Sequence, residues 1–472
     1  MAYLEERDAN GNFSKAFYDS HDSIVTVTHN EHSRDGRRSQ SGSRVIHLIQ
    51  FLVTVFLPTG YPDSVTRDYI DYQIYDSVQA FSSSISSLIG SRAVLTAVGV
   101  GDAAATGTSA MFITVVQATL GRLGTILFAW KFGSVLELEC KKYRFGADLV
   151  NNAGIVCDCL SPYFADRKSV MILFLCCSGV LKAICGVMAN GSRAALTMHF
   201  TDAQKGSISD VSAKDASQET VISLLGMLAG TLIIPYLEST TQVWTALTFL
   251  IVVHLWTNYL AVRSVVMDTL NRQRTSIVFA HVMDHMSPAL LHSDFLHKPS
   301  VPVLAILSTH QVATREHVLQ QDGALQWGAT GPVMGTATFG SFAMVARWLP
   351  STMSVHDLLS IFTDTGYVLW YTTTRVRGQK HQHVTVNIAL LDYTDDSRDI
   401  RAWVHALIIA RSLRSTTQST AHDTILHTLA LVTALFESGN ATTALTSKGW
   451  HISPGRTMIV SGSVPRVRVV NT

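Results

Sequence analysis

The sequence predicts a mainly α-helical chain: a polytopic helical membrane bundle of about six to seven helices, followed by a small α+β C-terminal domain. Three observations point there. Only 15% of the 472 residues are charged, against about 25% in ordinary soluble domains, while 47% are hydrophobic and the mean hydropathy is +0.23. Apolar runs recur between residues 103 and 262, near the ~20 residues a helix needs to cross a bilayer. Beyond Arg263 the chain changes to short amphipathic segments punctuated by turn residues.

Residues 1–43 read as a disordered polar tail, with Ser, Gly and Arg crowded between Ser33 and Ser43. Residues 44–285 read as the helical membrane domain. Ala103–Gly121, Thr220–Leu237 and Ser239–Val262 carry no charged residue, and Ser169–Ser192 carries only Lys182. Weaker spans are Val45–Gly60, Ser77–Gly101, interrupted by Arg92, and Leu149–Ala165, interrupted by Asp158. Their Gly, Ala, Ser and Thr content suits close helix contacts in lipid. A large soluble helical core is the other source of such runs. The basic cluster Asn271–Arg274 follows the last run, which places it on the cytosolic side or its equivalent.

Residues 286–350 read as a connecting segment and 351–438 as the α+β domain. Ser354 caps a helix with Val355, Leu358, Leu359 and Phe362 on one face, stopped by Gly366. Tyr367–Thr374 and His383–Leu391 are β-rich and flank the basic loop Arg375–Gln382, the pattern of a hairpin. Thr394–Ser397 caps a helix to about Leu413, and another runs from about His422 to Phe436. Residues 439–472 read as an irregular tail. The acidic start of the chain lacks the signature of a cleavable targeting segment. The expected location is an intracellular membrane, the organelle unspecified. All six cysteines lie between Cys140 and Cys185 without zinc-type spacing, which fits a reducing or lipid-embedded setting.

A net charge of +1 gives no field to recruit nucleic acid. No nucleophile–base spacing, GxSxG or P-loop is present, so an enzyme is not expected. Gly99–Ala104 fits G-x-G-x-x-A, but no carboxylate follows at ribose-binding distance, and close helix packing accounts for the small residues better. His281 and His285 share a helix face, with His292 and His297 nearby. Val282 stands where a metalloprotease has its glutamate, so a solvated histidine face outweighs a metal site and no metal is expected.

Three polar groups remain as candidate binding residues. Tyr61, Asp63, Asp68, Tyr72 and Asp76 crowd a stretch that begins as turns at Pro58 and Pro62. Tyrosines among acids suit a membrane interface or a cationic or heteroaromatic solute. Arg92, Asp102, Lys182 and Arg193 lie in or beside apolar runs, where ionisable groups are costly and face a cavity or a partner. Asp210, Lys214, Gln218 and Glu219 precede an apolar run. They read either as a helix start, with Asp215 and Gln218 at capping-box spacing, or as a recognition surface.

The blocks FLPTGYPDSVTRDYIDYQIYDSVQ (Phe56–Gln79), Ser91–Leu95, Gly99–Gly101, Arg193–Phe200 and Asp210–Thr220 together resemble the root UVB sensitive (RUS) family over roughly residues 46–285. Gln117–Thr119 and Ser207 depart from the family pattern. The resemblance implies a membrane-associated protein connected with the ultraviolet-B response, auxin transport and pyridoxal-phosphate homeostasis. Pyridoxal phosphate enters only by that association, and no other cofactor is expected. The expected function is transport or homeostasis of a small metabolite, with membrane lipid and a homodimeric or same-family partner. The alternative is a non-catalytic membrane adaptor that binds a protein through its polar loops. A third reading, a soluble pyridoxal-phosphate handler, would use Lys214 for a Schiff base.

Overall fold

The computed structural model describes residues 3–7, 13–20, 23–28, 53–99, 107–286, 304–375, 382–392, 397–415, 420–438, 440–452 and 459–468. Asp102, most of the Gly99–Ala104 motif, His292, His297, the Ser33–Ser43 run and most of the Arg375–Gln382 loop lie outside the described residues. The chain divides into two compact units, residues 1–125 with 146–265, and residues 126–145 with 266–472.

The first unit opens with an antiparallel sheet of β1 (Tyr3–Arg7), β2 (Phe13–Ser20) and β3 (Ser23–Thr28), in that order. A polar tail is the expectation there. The strands instead follow β-branched and aromatic residues such as Ile24, Val25, Val27, Phe17 and Tyr18. Six long helices come next: α1 (Tyr69–Ala97), α2 (Gly107–Phe132), α3 (Cys140–Leu160), α4 (Lys168–Phe200), α5 (Ile208–Ile233) and α6 (Thr240–Ser264). α1 packs lengthwise between α5 and α6. Small residues permit this approach. A Cβ on Gly226 of α5 would lie 2.7 Å from the Phe81 carbonyl and 2.8 Å from Ser84 Cβ, both on α1.

Four of these segments are long and apolar enough to cross a membrane: Met111–Val135, Lys168–Phe200, Ile208–Tyr236 and Thr240–Ser264. Their large apolar side chains are widely uncovered. Met111 is 70% exposed and Leu173, Leu232 and Phe249 are each 66% exposed. The buried side of α1, by contrast, is polar over most of its length, through Gln73, Asp76, Gln79, Ser82 and Ser86. This is the reverse of a soluble helix, which hides its apolar stripe.

The second unit is built on a mixed sheet of β4 (Ala324–Gln326), β5 (Val333–Phe339), β6 (Tyr367–Thr374), β7 (His383–Leu391) and β8 (Arg466–Val467). The order is β4-β5-β7-β6, with β8 beside β7. The expected hairpin forms with Tyr367 opposite Leu390 and Thr374 opposite His383. β5 joins β7 in parallel. β6 and β7 are buried along most of their length, as strands covered on both faces must be. Helix α7 (Arg272–His285) and the helix α11 (Arg398–Ser415) contribute Phe279, Trp403 and Leu407 to the core. Between them come α8 (Thr309–Ala313), α9 (Phe342–Ala346) and α10 (Val355–Ile361). After α11 come α12 (Ala421–Thr433) and α13 (Ala441–Ser447).

The Ser354 capping box is present, reciprocated by Asp357. α11 begins at Arg398, and most of its expected cap at 394–397 lies outside the described residues. The unit is larger than its expected bounds of 351–438. β4, β5, α8 and α9 fall in the expected connecting segment, and α13 and β8 in the expected tail. Short elements of this kind carry too few residues to show a period.

Candidate functional site

The inward face of α1 meets polar side chains from four other helices. Near its middle, Gln79 Nε2 donates to Asp148 Oδ2 of α3 at 2.5 Å, and Asn258 Nδ2 of α6 donates to the same oxygen at 2.5 Å. His254, one helical turn before Asn258, places Nε2 3.5 Å from that oxygen. Its Nδ1 lies 3.0 Å from Asn152 Oδ1, a contact in which the ring nitrogen donates. Gln79, Asp148, Asn152, His254 and Asn258 are all buried.

A second cluster sits one to two turns nearer the start of α1. Arg193 of α4 pairs through Nε with Asp215 Oδ2 of α5 at 2.9 Å, and through Nη2 with Glu219. Gln73 Nε2 donates to Asp215 Oδ1 at 2.8 Å. Buried Asp76 is close enough to act electrostatically on both Arg193 and Asp215. A third cluster joins α3 to α4, where Lys182 donates to Asp158 Oδ2. Asp158 is 1% exposed. Among the described residues, Asp158 Oδ1 and Asn152 Nδ2 are buried without a hydrogen-bond partner. An unpartnered buried polar atom is costly, so these two atoms mark where a polar group of a solute or water would be accepted.

At the start of α1 the side chains close the chain onto itself. Asp68 Oδ2 lies 3.0 Å from His199 Nε2. Tyr69 and Tyr72 pack their rings on Phe200 at 5.6 and 5.1 Å. Asp210 accepts the Thr59 N–H at 2.7 Å. Lys214 Nζ donates to the carbonyls of Thr54 and Val55 at 2.6 and 3.1 Å, and Gln218 donates to that of Phe56 at 2.5 Å. The polar block at 210–219 therefore holds residues 54–59 of its own chain. It also lies inside α5, which starts at Ile208. Asp215 and Gln218 are helix-interior residues and do not form the expected capping box. The amine of Lys214 is committed to backbone carbonyls.

The structure thus brings together Asp68, Tyr72, Asp76, Arg193, Asp210, Lys214, Gln218 and Glu219 around the first half of α1. Tyr61 is half-buried and Asp63 is exposed, 3.9 Å from Lys205. Lys182 belongs to the Asp158 pair. Arg92 stands apart from all of these. It is exposed, and its Nη1 donates to the carbonyls of Ile234 and Leu237 at the end of α5, each at 3.1 Å. Sequence reasoning missed Gln79, Asp148, Asn152, His254 and Asn258. The available signal was spacing: His254 and Asn258 are four apart inside an uncharged run, as are Asp148 and Asn152 in α3.

Comparison with known proteins agrees with this arrangement of blocks. A family model described as the vitamin B6 photo-protection and homoeostasis domain matches residues 43–286, just over half of the chain. RUS family member 1 of Dictyostelium discoideum is 40% identical over 48% of this chain and 43% of its own length. Protein root UVB sensitive 3 of Arabidopsis thaliana is 29% identical over 80% of this chain and 79% of its own. Protein root UVB sensitive 5 of Arabidopsis thaliana is 27% identical over 61% of this chain and 59% of its own. No solved structure matches the chain. With the domain match enclosing every cluster around α1, the chain belongs to the root UVB sensitive family.

Proposed function

We propose that this chain is an integral membrane protein, not an enzyme, that moves a small polar metabolite through the bundle interior in the service of vitamin B6 homeostasis. One observation carries the reading. Ionisable and amide side chains line the inside of a bundle whose outside is apolar, and two of their buried atoms, Asp158 Oδ1 and Asn152 Nδ2, have no partner among the described residues. Ionisable groups at membrane depth face pathways far more often than they serve stability. The uncovered Met111, Leu173, Leu232 and Phe249 are suited to lipid, since a soluble monomer rarely leaves so large an apolar patch bare. A homodimer, or a pair with another RUS chain, would extend the six long helices to twelve.

The test is flux. The full chain in proteoliposomes is expected to take up a labelled vitamin B6 vitamer. Arg193→Gln and Asp148→Asn should each cut the rate by about tenfold or more, the size of one lost charge-assisted contact, at normal protein abundance. Uptake no faster than in empty liposomes would sink the transport reading. The adaptor reading would then gain. At present Asp210, Lys214 and Gln218, the residues it needs on the surface, are engaged with residues 54–59.

A further inference from the structure

A cleft of about 370 Å³ opens beside the second half of α1, lined by none of the clustered residues described above. Its walls come from the last turns of α1, the end of α3, the α5–α6 turn and the first turn of α6. The volume is at the lower end of the ~300–1,000 Å³ range of small-molecule sites. Ile89, Ala93, Pro162 and Val243 give it an apolar floor. Tyr163 and Trp244 stand as an aromatic wall, tied together by the indole N–H donating to the tyrosine oxygen at 2.9 Å.

A basic and an acidic side chain share this cleft, Arg92 and Glu238. Among the described residues neither forms an ion pair, with the other or with any third group. Each is nevertheless positioned by backbone. Arg92 is fixed by Nη1 on the Ile234 and Leu237 carbonyls, which leaves Nε and Nη2 without a protein acceptor. Glu238 is the residue before the Ser239 capping box, and its N–H donates to Gln242 Oε1 at 3.1 Å. Among the described residues its carboxylate meets no hydrogen-bond donor. The helix ends add opposing partial charges, the negative end of α5 and the positive end of α6. The rim is therefore neutral as a whole and charged at two places.

We propose that this cleft binds a small zwitterion with an aromatic or apolar body, its anionic group on the open edge of Arg92 and its ammonium on Glu238. An anion alone would meet Glu238 and the α5 carbonyls; a cation alone would meet Arg92. A zwitterion satisfies both charges, and its body lies against Tyr163 and Trp244, where a cation–π contact also favours the ammonium. Such a ligand is either a soluble aromatic metabolite or the headgroup of a zwitterionic phospholipid. The charge argument is independent of transport through the polar interior.

The experiment is equilibrium dialysis on the full chain in phosphatidylglycerol nanodiscs. The probes are pyridoxamine 5′-phosphate, which has a phosphate and an ammonium on one aromatic ring, pyridoxine, which has the same ring without them, and inorganic phosphate. Pyridoxamine 5′-phosphate should bind at least about tenfold more tightly than either of the others, the worth of a charge-assisted hydrogen bond. Arg92→Gln and Glu238→Gln should each erase most of that difference. Because Arg92 also caps α5, the Glu238→Gln variant decides; it should melt at the wild-type temperature. Adding phosphatidylethanolamine to the nanodiscs separates the sources. Displacement of the probe identifies a lipid headgroup, and undiminished binding identifies a soluble zwitterion. Equal affinity for pyridoxine or phosphate, no binding of the zwitterion, or wild-type affinity in Glu238→Gln overturns the proposal.

Discussion

At the scale of single residues, the buried charges of the bundle are paired in ways that mutation can separate. Lys182→Ala removes the cation from Asp158, a carboxylate 1% exposed. Breaking a fully buried pair costs about 3–5 kcal/mol. Lys182 is itself 37% exposed, so the expected loss lies below that range. Asp158→Asn combined with Lys182→Met removes both charges and should recover most of it. The melting temperatures of Lys182→Met, Asp158→Asn and the double in detergent measure the coupling; a loss in the double equal to the sum of the two singles would show that the pair contributes nothing. Glu139, in the second unit, offers a pH test. Burial is the main cause pushing its carboxyl up to about 7, opposed by Arg274, and Asn271 Nδ2 donates to it at 2.9 Å. A raised pKa means the folded state holds the proton more tightly. The stabilisation is then complete below about 4.5 and is lost as pH rises through about 7. Wild type should gain on Glu139→Gln in melting temperature as pH falls from 8 towards 5; a constant gap would exclude this role. Legibility at this scale followed formal charge. Lys182, Arg193 and Asp158 stood out in apolar runs. His254 and Asn258 did not, because a neutral imidazole and an amide leave a hydropathy run unbroken, though inside lipid both need partners.

Elements were legible where one face decides the pattern. The β6–β7 hairpin, the helix after Ser354 and the helix expected from about His422 follow from alternation, periodicity and the Ser354 cap, and the structure places them where those signals lie. α5 was harder. Its apolar half marks a span, but the helix continues back through the polar block to Ile208 because that block packs on residues 54–59. Tertiary contact, absent from the local pattern, extends it. Glycines carry the contacts between these helices. Gly226→Leu inserts a side chain where even a Cβ meets the Phe81 carbonyl at 2.7 Å. α1 and α5 must separate, at an expected cost of about 1–3 kcal/mol. Gly186, in α4, has nothing within 4 Å of its Cβ direction. Gly186→Ala there should stabilise by about 0.5–1 kcal/mol through the lost backbone freedom of the unfolded chain. Opposite shifts in melting temperature confirm that contact, not glycine content, sets the packing; shifts of the same sign refute it.

For the whole molecule, chain connectivity restricts how the helices can cross a bilayer. Residues 126–145 and 266–472 belong to one unit, joined inside it by Lys141 with Glu316 at 2.6 Å, Lys142 with Asp322 at 2.7 Å and Asn271 with Glu139. On the membrane reading proposed above, the part of the unit held by these contacts, residues 139–145 with 266 onward, lies on one side of the bilayer. The chain that leaves it at residue 146 and returns at 265 must therefore cross an even number of times. Only α4, α5 and α6 in that interval pass as spans on apolar content, and three is odd. On that reading α3 supplies the fourth crossing. Past residue 145 its remaining 15 residues rise about 22 Å, and the 3-10 turn Ser161–Phe164 adds about 8 Å, together close to the ~30 Å of the hydrocarbon layer. The sequence reading ranked it weak because Asp158 interrupts it, yet Asp148 and Asp158 point inward to partners and cost the lipid face nothing. The loop 161–167 then lies opposite the loop 201–207, and 234–239 lies with 161–167. The cleft already unites Tyr163 with Leu237, and Val65 bridges Thr201 at the other end of α1. Single cysteines at Glu137, Asp166, Lys205 and Glu238, in a chain whose six native cysteines are replaced, test this in sealed vesicles. A membrane-impermeant maleimide should label 137 and 205 from one face, and 166 and 238 from the other. If 137 and 166 label together, α3 stays on the surface and the even count fails.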